Sequence, residues 1–82
     1  MTPDLYQRVA LRRDLDEHRL KAGDLAVLID RVPHPSGGEG GVVLEVFNAL
    51  GTSIAVVTAP ESAIEPLRDD EVLAVRLLAR VN

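Results

Sequence analysis

The sequence predicts an all-β domain, a small β-barrel or roll of about five short strands. The apolar residues are mainly Val, Leu, Ala and Ile, which favours strands. Gly, Pro, Asn and Asp separate the apolar segments, and no segment has the length and periodicity of an amphipathic helix. With 82 residues, the chain is expected to form one domain that spans residues 1–82.

Two strands are predicted in the first part of the chain. The first lies in residues 8–15, where Val9 and Leu11 are on one side. The polar residues 16–24 follow and end in a Gly-Asp pair that is typical of a turn. Residues 25–32 begin with a continuous apolar run and are bounded by Gly and Pro, which indicates a buried strand.

Residues 33–41, with the sequence PHPSGGEGG, form the next connection. A glycine-rich loop that binds phosphate needs a Lys and a hydroxyl after its glycines, and a helix that receives the anion. Here Val42 and Val43 follow the last glycine, a strand is predicted next, and Glu39 would repel an anion. The segment is therefore predicted to be a structural hairpin loop.

A second hairpin is predicted after this loop. Residues 42–48 and 52–59 are apolar and β-branched, and an Asn and a Gly between them allow a tight reversal. Residues 60–67 are predicted to be a loop or a single helical turn, because Pro66 prevents a long helix.

The C-terminal extension, residues 69–82, is predicted to add one more strand. Arg76 and Arg80 lie opposite apolar residues that recur at every second position. These apolar residues are Leu73, Val75, Leu77, Ala79 and Val81. Three acidic residues at the start of the extension would also suit the first turn of a helix, so a helix remains the alternative.

Composition limits the possible partners and chemistry. The chain carries a formal net charge of −4, and binding to nucleic acid depends mainly on basic residues that neutralise phosphates, so a nucleic-acid partner is not expected. The chain has no Cys, which excludes disulfides, a thiolate nucleophile and a thiolate metal site. No secretory leader or apolar run of about 18 residues is present, so we expect a cytoplasmic protein without a membrane partner.

His18 is the first candidate for a metal site, because Asp14, Asp16 and Glu17 lie beside it. The ligand spacing of known metal sites is missing, however, and an exposed charged loop has the same composition. We therefore predict no metal ligand in this segment.

Two further groups could suggest catalysis. His34 and Ser36 could form a nucleophile–base pair, but a Gly-Pro loop lacks the rigid orientation that a catalytic triad requires. Asp69, Asp70 and Glu71 are adjacent acids, whereas catalytic carboxylate pairs need different surroundings for their two members. We predict that the protein is not an enzyme and has no catalytic or cofactor-binding residues.

Basic residues of the first part of the chain could line one side of a barrel. They are Arg8, Arg12, Arg13, Arg19, Lys21 and Arg31. Barrels that bind nucleic acid usually also expose aromatic side chains for base stacking, and only Tyr6 and Phe47 are available, with Phe47 expected in the core. A salt-bridged surface is the favoured interpretation, and weak nucleic-acid binding is the alternative function.

The order of these motifs resembles a family of small bacterial proteins known as domain of unknown function 4926. Its members typically show a V-A-L strand, a K-x-G-D segment, a V-E-F hairpin and a closing L-x-P-L pattern. The resemblance covers residues 4–68, and the matching positions are residues 9–11, Lys21, Gly23, Asp24, residues 42–47, Ile64, Pro66 and Leu67.

The resemblance implies an SH3-like barrel, similar to domains with a K-x-G-D turn in ribosomal and transcription factors and in the nitrile hydratase β subunit. Residues 33–41 and the extension after Leu67 depart from the short members. Family members look like accessory or antitoxin-type partners of other proteins, and the resemblance brings no catalytic residues.

We therefore expect a non-catalytic protein-interaction module without a cofactor. The extension is its expected contact, because an apolar strand can add to the edge of another sheet. The partner would be a different protein or a second copy of the chain in a homodimer.

Overall fold

A computed structural model describes residues 3–78 of the chain. The strands are β1 (Arg8–Leu11), β2 (Leu25–Val32), β3 (Gly41–Phe47), β4 (Ser53–Pro60) and β5 (Ile64–Pro66). Two single-turn 3-10 helices are η1 (Asp16–His18) and η2 (Glu61–Ala63). The predicted all-β class is confirmed for the described residues.

All five strands belong to one antiparallel sheet in the order β4-β3-β2-β1-β5. Strands β1 to β4 pair with their neighbours along the chain, whereas β5 returns to pair with β1. In this last pairing Leu11 is opposite Ile64, and Val9 is opposite Pro66. Strands β4 and β5 are therefore the two edges of the sheet.

Successive side chains of a strand point to opposite faces of the sheet, and the apolar side chains on one face form the hydrophobic core. Its fully buried large residues are Val9, Leu28, Val42 and Leu44. The same core cluster includes buried residues of both edge strands. A flat sheet would hold those edges about 19 Å apart, at roughly 4.8 Å per strand. Strand β4 ends at Pro60 and β5 begins at Ile64, a separation of four residues that an extended chain spans in at most about 14 Å, so the sheet curls around the core.

A β-bulge in β2 changes which side chains face the core. Before the bulge Leu28 pairs with Leu44, and after it Arg31 pairs with the buried Val42. One extra residue shifts the alternation of side chains by one position. Arg31 consequently lies on the core side at the end of β2, where its guanidinium donates a hydrogen bond to the carbonyl of Pro3.

The connection from β1 to β2 contributes two core residues of its own. Leu15 and Leu20 are buried and form an isolated antiparallel bridge on either side of η1. The amide of Leu15 donates to the carbonyl of Leu20 at 2.9 Å, and the amide of Leu20 donates back at 3.2 Å. Because the chain turns here to bury both leucines, β1 ends at Leu11 and not at the predicted residue 15.

The second strand has the predicted bounds, Leu25–Val32, and the hairpin of β3 and β4 is confirmed. The fifth strand is not where the sequence pattern predicts it. Residues 67–78 contain no strand, and the end of the predicted strand lies in residues 79–82, outside the described residues. Strand β5 forms instead within residues 60–67, after the predicted helical turn, because β1 offers it an edge and the core accepts Ile64.

The prediction that Phe47 lies in the core is wrong. Phe47 is 40% exposed at the end of β3, whereas the preceding Val46 is buried. The register of β3 against β4 shifts between these two residues. This irregularity places Phe47 beside the hairpin turn and away from the core.

Candidate functional site

Arg76 fastens the described part of the C-terminal extension to the body of the domain. Its Nε donates to Oδ1 of Asp24 at 2.7 Å, and its Nη2 donates to Oδ2 of the same carboxylate. The Nη2 group also donates to the carbonyl of Arg19 at 3.3 Å. This bidentate contact is the geometry in which Arg binds a carboxylate most strongly.

The Asp24 carboxylate is positioned by a tight turn. The amide of Asp24 donates to the carbonyl of Lys21 at 3.0 Å, and the amide of Lys21 donates to Oδ2 of Asp24 at 2.8 Å. Gly23 has a φ of 91°, which a residue with a Cβ adopts only with strain. The K-x-G-D segment therefore forms a turn that presents a carboxylate to the extension.

The pKa shifts of Asp24 and Arg76 each favour the charged form of the group. Partial burial acts to raise the pKa of Asp24, but hydrogen bonds from Arg76 and from the Lys21 amide outweigh burial and lower the pKa below its usual value. The hydrogen bond to Asp24 raises the pKa of Arg76. The contact is thus an ion pair at neutral pH.

Three apolar residues of the extension face away from the body, whereas Leu73 and Leu78 are partly covered, with exposures of 57% and 43%. Val72, Val75 and Leu77 are 93%, 89% and 92% exposed, respectively. The side chain of Arg76, which lies between two of them in the sequence, is only 36% exposed and contacts Asp24. The extension thus holds Arg76 against the body and Val72, Val75 and Leu77 in solvent.

The prediction of a strand at residues 69–81 is wrong for the part that the structure describes, residues 69–78. No backbone amide of residues 72–78 donates a hydrogen bond to another backbone group of the described chain. A strand needs a partner that accepts and donates such bonds. Residues 72–78 have the side-chain pattern of a strand but no neighbouring strand within the described residues.

The acidic residues at the start of the extension form a local turn with Arg68. Arg68 donates from Nε and Nη2 to the carboxylate of Asp70 at 2.9 and 2.7 Å. The carboxylate of Glu71 accepts the amide of Arg68 at 2.5 Å. These contacts set the direction in which the extension leaves β5, and they give the acidic residues a structural role.

The predicted hairpin loop between β2 and β3 is confirmed, and it uses its amides internally. The amides of Ser36 and Gly38 donate to Nδ1 of His34 at 3.1 and 3.2 Å. The contact between Ser36 and His34 therefore involves a backbone amide and not the hydroxyl that a nucleophile–base pair needs. The carboxylate of Glu39 accepts the amide of Ser62 at 2.7 Å, which ties the loop to η2.

His18 lies at the surface of η1. Its Nε2 is 3.7 Å from Oε1 of Glu17, and the neighbouring acids Asp14 and Asp16 lie 3.8 and 3.9 Å from the Nζ of Lys21. Within residues 3–78, no three His, Cys, Asp or Glu side chains are grouped so that they could hold a metal ion. The charges around η1 are those of an ion-paired surface.

Other basic residues from the sequence analysis also have acceptors. Arg12 lies 3.7 Å from Glu65, and Arg31 donates to the carbonyl of Pro3. A shallow cleft of about 240 Å³ at this end of the sheet is lined by Pro3, Arg12, Arg31, Glu61, Ile64, Glu65 and Pro66. The cleft carries both signs of charge, unlike a groove that follows a phosphate backbone.

The ion pair of Asp24 and Arg76 is absent from the sequence-based predictions. The two residues are separated by 52 positions, and no sequence pattern connects them. The only available signal is the K-x-G-D segment, in which the Asp side chain is placed by a turn.

Comparison of the chain with known protein families, with curated proteins and with solved structures finds no match. The resemblance to the domain of unknown function 4926 family therefore stays a prediction. Among the described residues, no helix has the length and apolar character needed to cross a bilayer.

Proposed function

We propose that this protein is a non-catalytic protein-interaction module whose contact element is the C-terminal extension. The observation that carries the proposal is the orientation of the extension, with Arg76 against the body and the side chains of Val72, Val75 and Leu77 in solvent. A segment that stabilised only its own domain would bury its apolar side. An apolar surface held outward is typical of a site that another protein covers.

The backbone of the extension indicates how a partner would bind. Residues 72–78 are without regular structure, and their amides donate to no other backbone group in the described chain. Such a segment can add as a strand to the edge of a partner's sheet, where main-chain hydrogen bonds give affinity and side-chain pockets give specificity. The matching partner is a protein with an open sheet edge beside apolar pockets.

The apolar side chains supply the binding energy in this proposal. Full burial of a Val or Leu side chain contributes about 1.5–3 kcal/mol. Because Arg76 already holds the extension against the body, less conformational entropy is lost when a partner binds.

An SH3-like barrel is the fold proposed for the body. The strand order, the return of β5 to β1 and the 3-10 turn η2 before β5 support this proposal. The core shared by both edge strands also supports it. The resemblance over residues 4–68 leads to the same fold, and with it we propose an accessory or antitoxin-type role in the cytoplasm.

Nucleic-acid binding is the weaker alternative. The contacts of Arg12, Lys21 and Arg31 with carboxylates or a carbonyl reduce the charge that these residues could offer to phosphates. A mobility shift with RNA or DNA that weakens steeply with salt would favour this alternative.

The proposal is tested by capture from a lysate of the source cells with the full chain and two variants. We expect the wild-type chain to retain one protein in stoichiometric amount, and the double variant Val75→Ser/Leu77→Ser to lose it. The variant Ala74→Ser is the matched control, because it adds one hydroxyl to the same segment and leaves the apolar side chains in place. Retention of the same protein by all three chains would contradict the proposal.

A further inference from the structure

Strand β4 is the open edge of the sheet. Among the described strands it pairs only with β3, so its other side presents unpaired backbone groups. Proteins normally protect such an edge with charged side chains or by keeping it very short. The opposite edge, β5, is three residues long and contains Glu65 and Pro66. Strand β4 has eight residues, and none of them is charged; its interruptions are an irregularity at Ile54 and the terminal Pro60.

Two of the exposed side chains of β4 are large and apolar. Val57 and Ala59 point into the core, whereas Ile54 and Val56 lie on the other face and are 43% and 60% exposed. The free backbone edge therefore has two apolar side chains beside it, together with the exposed polar residues Ser53 and Thr58. This surface belongs to β4 and is separate from the C-terminal extension.

We propose that β4 pairs antiparallel with β4 of a second copy of this chain, about a two-fold axis at Val56. In this register Val56 lies beside its own symmetry mate, and Ile54 lies beside Thr58 of the second copy. Both contacts are on the outer face, because residues directly opposite in an antiparallel pair share a face.

The absence of charge from β4 favours a second copy as the occupant. A two-fold interface brings the same patch together from both chains, so a charge near the axis meets a like charge. Like charges directly opposite each other on paired strands are destabilising. An edge that binds a different protein can carry charge, provided that its partner carries the opposite sign. The eight uncharged residues of Ser53–Pro60 meet the condition for self-pairing.

The nearest carboxylate does not oppose this pairing. Glu45 lies on β3 opposite Val56, and its carboxylate accepts a hydrogen bond from Oγ of Ser53 at 2.7 Å. In the joined sheet the two Glu45 residues are three strand spacings apart, or about 14 Å. This separation exceeds the Debye length of roughly 8 Å at physiological salt.

Sedimentation equilibrium on the full chain tests the proposal with two variants of opposite charge. We expect the wild-type chain to form a dimer, with twice the 8.9 kDa mass of one chain. We expect Val56→Glu and Val56→Lys each to raise the dimer dissociation constant at least about tenfold, because each places two like charges at the axis. An equimolar mixture of the two variants should restore the dimer, because opposite charges then meet.

The mixture separates loss of pairing from loss of folding, since unfolded chains would not recover a dimer. Leu50→Glu is the matched control, because Leu50 is 92% exposed in the adjacent hairpin turn and lies outside β4. A wild-type chain that stays monomeric at about 1 mM would overturn the proposal. So would a mixture that stays monomeric, or a dimer that is lost in Val75→Ser/Leu77→Ser and retained in Val56→Glu. The last result would assign the dimer to the extension and leave the proposed function intact.

Discussion

The guanidinium of Arg76 donates two hydrogen bonds to the carboxylate of Asp24, one of them 2.7 Å long, although the two residues are 52 positions apart in the chain. This contact is the only ion pair among the described residues that joins residues 72–78 to the rest of the domain. It links the K-x-G-D turn to the proposed binding surface.

Replacing Arg76 by Gln is expected to release the extension without unfolding the domain. The extension contributes no residue to the core cluster in its described part, so the urea midpoint of unfolding should change little. Nitrogen-15 relaxation should show faster motion of the amides of residues 72–78. Arg68→Gln is the control, because Arg68 pairs with Asp70, which precedes residues 72–78, and not with Asp24. Equal mobility of residues 72–78 in wild type and Arg76→Gln would contradict this expectation.

Lowering the pH is expected to release the extension, as the substitution Arg76→Gln does. The pKa of Asp24 is lower in the folded chain than in the unfolded one, so the stabilisation by this carboxylate is complete above the unfolded value of about 4. It is lost as the pH falls through the lowered folded pKa. An NMR titration should show the Asp24 carboxyl and the amides of Val75 and Leu77 changing together.

The pKa of Glu39 is also lowered, first of all by its hydrogen bond with Ser62, so a second carboxylate titrates in the acid range. The variant Glu39→Gln separates the two groups. It should leave the acid transition of residues 72–78 unchanged, whereas Arg76→Gln should abolish that transition and raise the pKa of Asp24. Loss of the transition in Glu39→Gln would show that Asp24 does not control it.

Truncation of Leu28 is expected to be strongly destabilising. Leu28 is fully buried in β2 opposite Leu44, and the change Leu28→Ala leaves a cavity in the core. Substitutions of this kind cost about 2–5 kcal/mol of unfolding free energy. Urea denaturation measures the loss, and Leu50→Ala, at an exposed position, should stay within about 0.5 kcal/mol of wild type. Similar losses in the two variants would show that the core is placed wrongly.

Replacing Gly23 by Ala is expected to strain the turn that presents Asp24. A Cβ at this position would meet no atom within 4 Å, so the cost comes from the φ of 91° alone. A left-handed conformation costs an ordinary residue about 1–2 kcal/mol, and Asn tolerates it better than Ala. Urea denaturation should therefore show that wild type is the most stable chain, Gly23→Asn is less stable and Gly23→Ala is the least stable. Equal stability of the three chains would contradict the backbone argument.

The sequence allows the central strands to be predicted well, because their signals are local. Residues 25–32 form an apolar run between turn residues, and β2 has the same bounds. The hairpin of β3 and β4 follows in the same way from two apolar segments and a short reversal. In these elements the side-chain pattern and the backbone pairing depend on residues that are close in the chain.

The elements that the sequence does not predict depend on distant partners. Strand β5 is three residues long and exists because β1 accepts it, a pairing of residues more than fifty positions apart, such as Leu11 with Ile64. The extension has a stronger strand pattern than β5, yet residues 72–78 have no strand beside them in the described chain. Alternation of side chains shows that a segment can become a strand, but it does not show where the partner is.

The loop after β2 and the turn before β5 contact each other where the β3–β4 ladder ends at Gly41 and Pro60. The amide of Glu61 donates to the carbonyl of Gly40 at 3.0 Å, beside the bond from Ser62 to Glu39. Two hydrogen bonds thus connect the loop after β2 to η2, next to the cleft that contains Arg31 and Glu61. Loss of these two bonds would detach the loop from η2, while the strand pairs of the sheet, including Gly41 with Pro60, stayed intact.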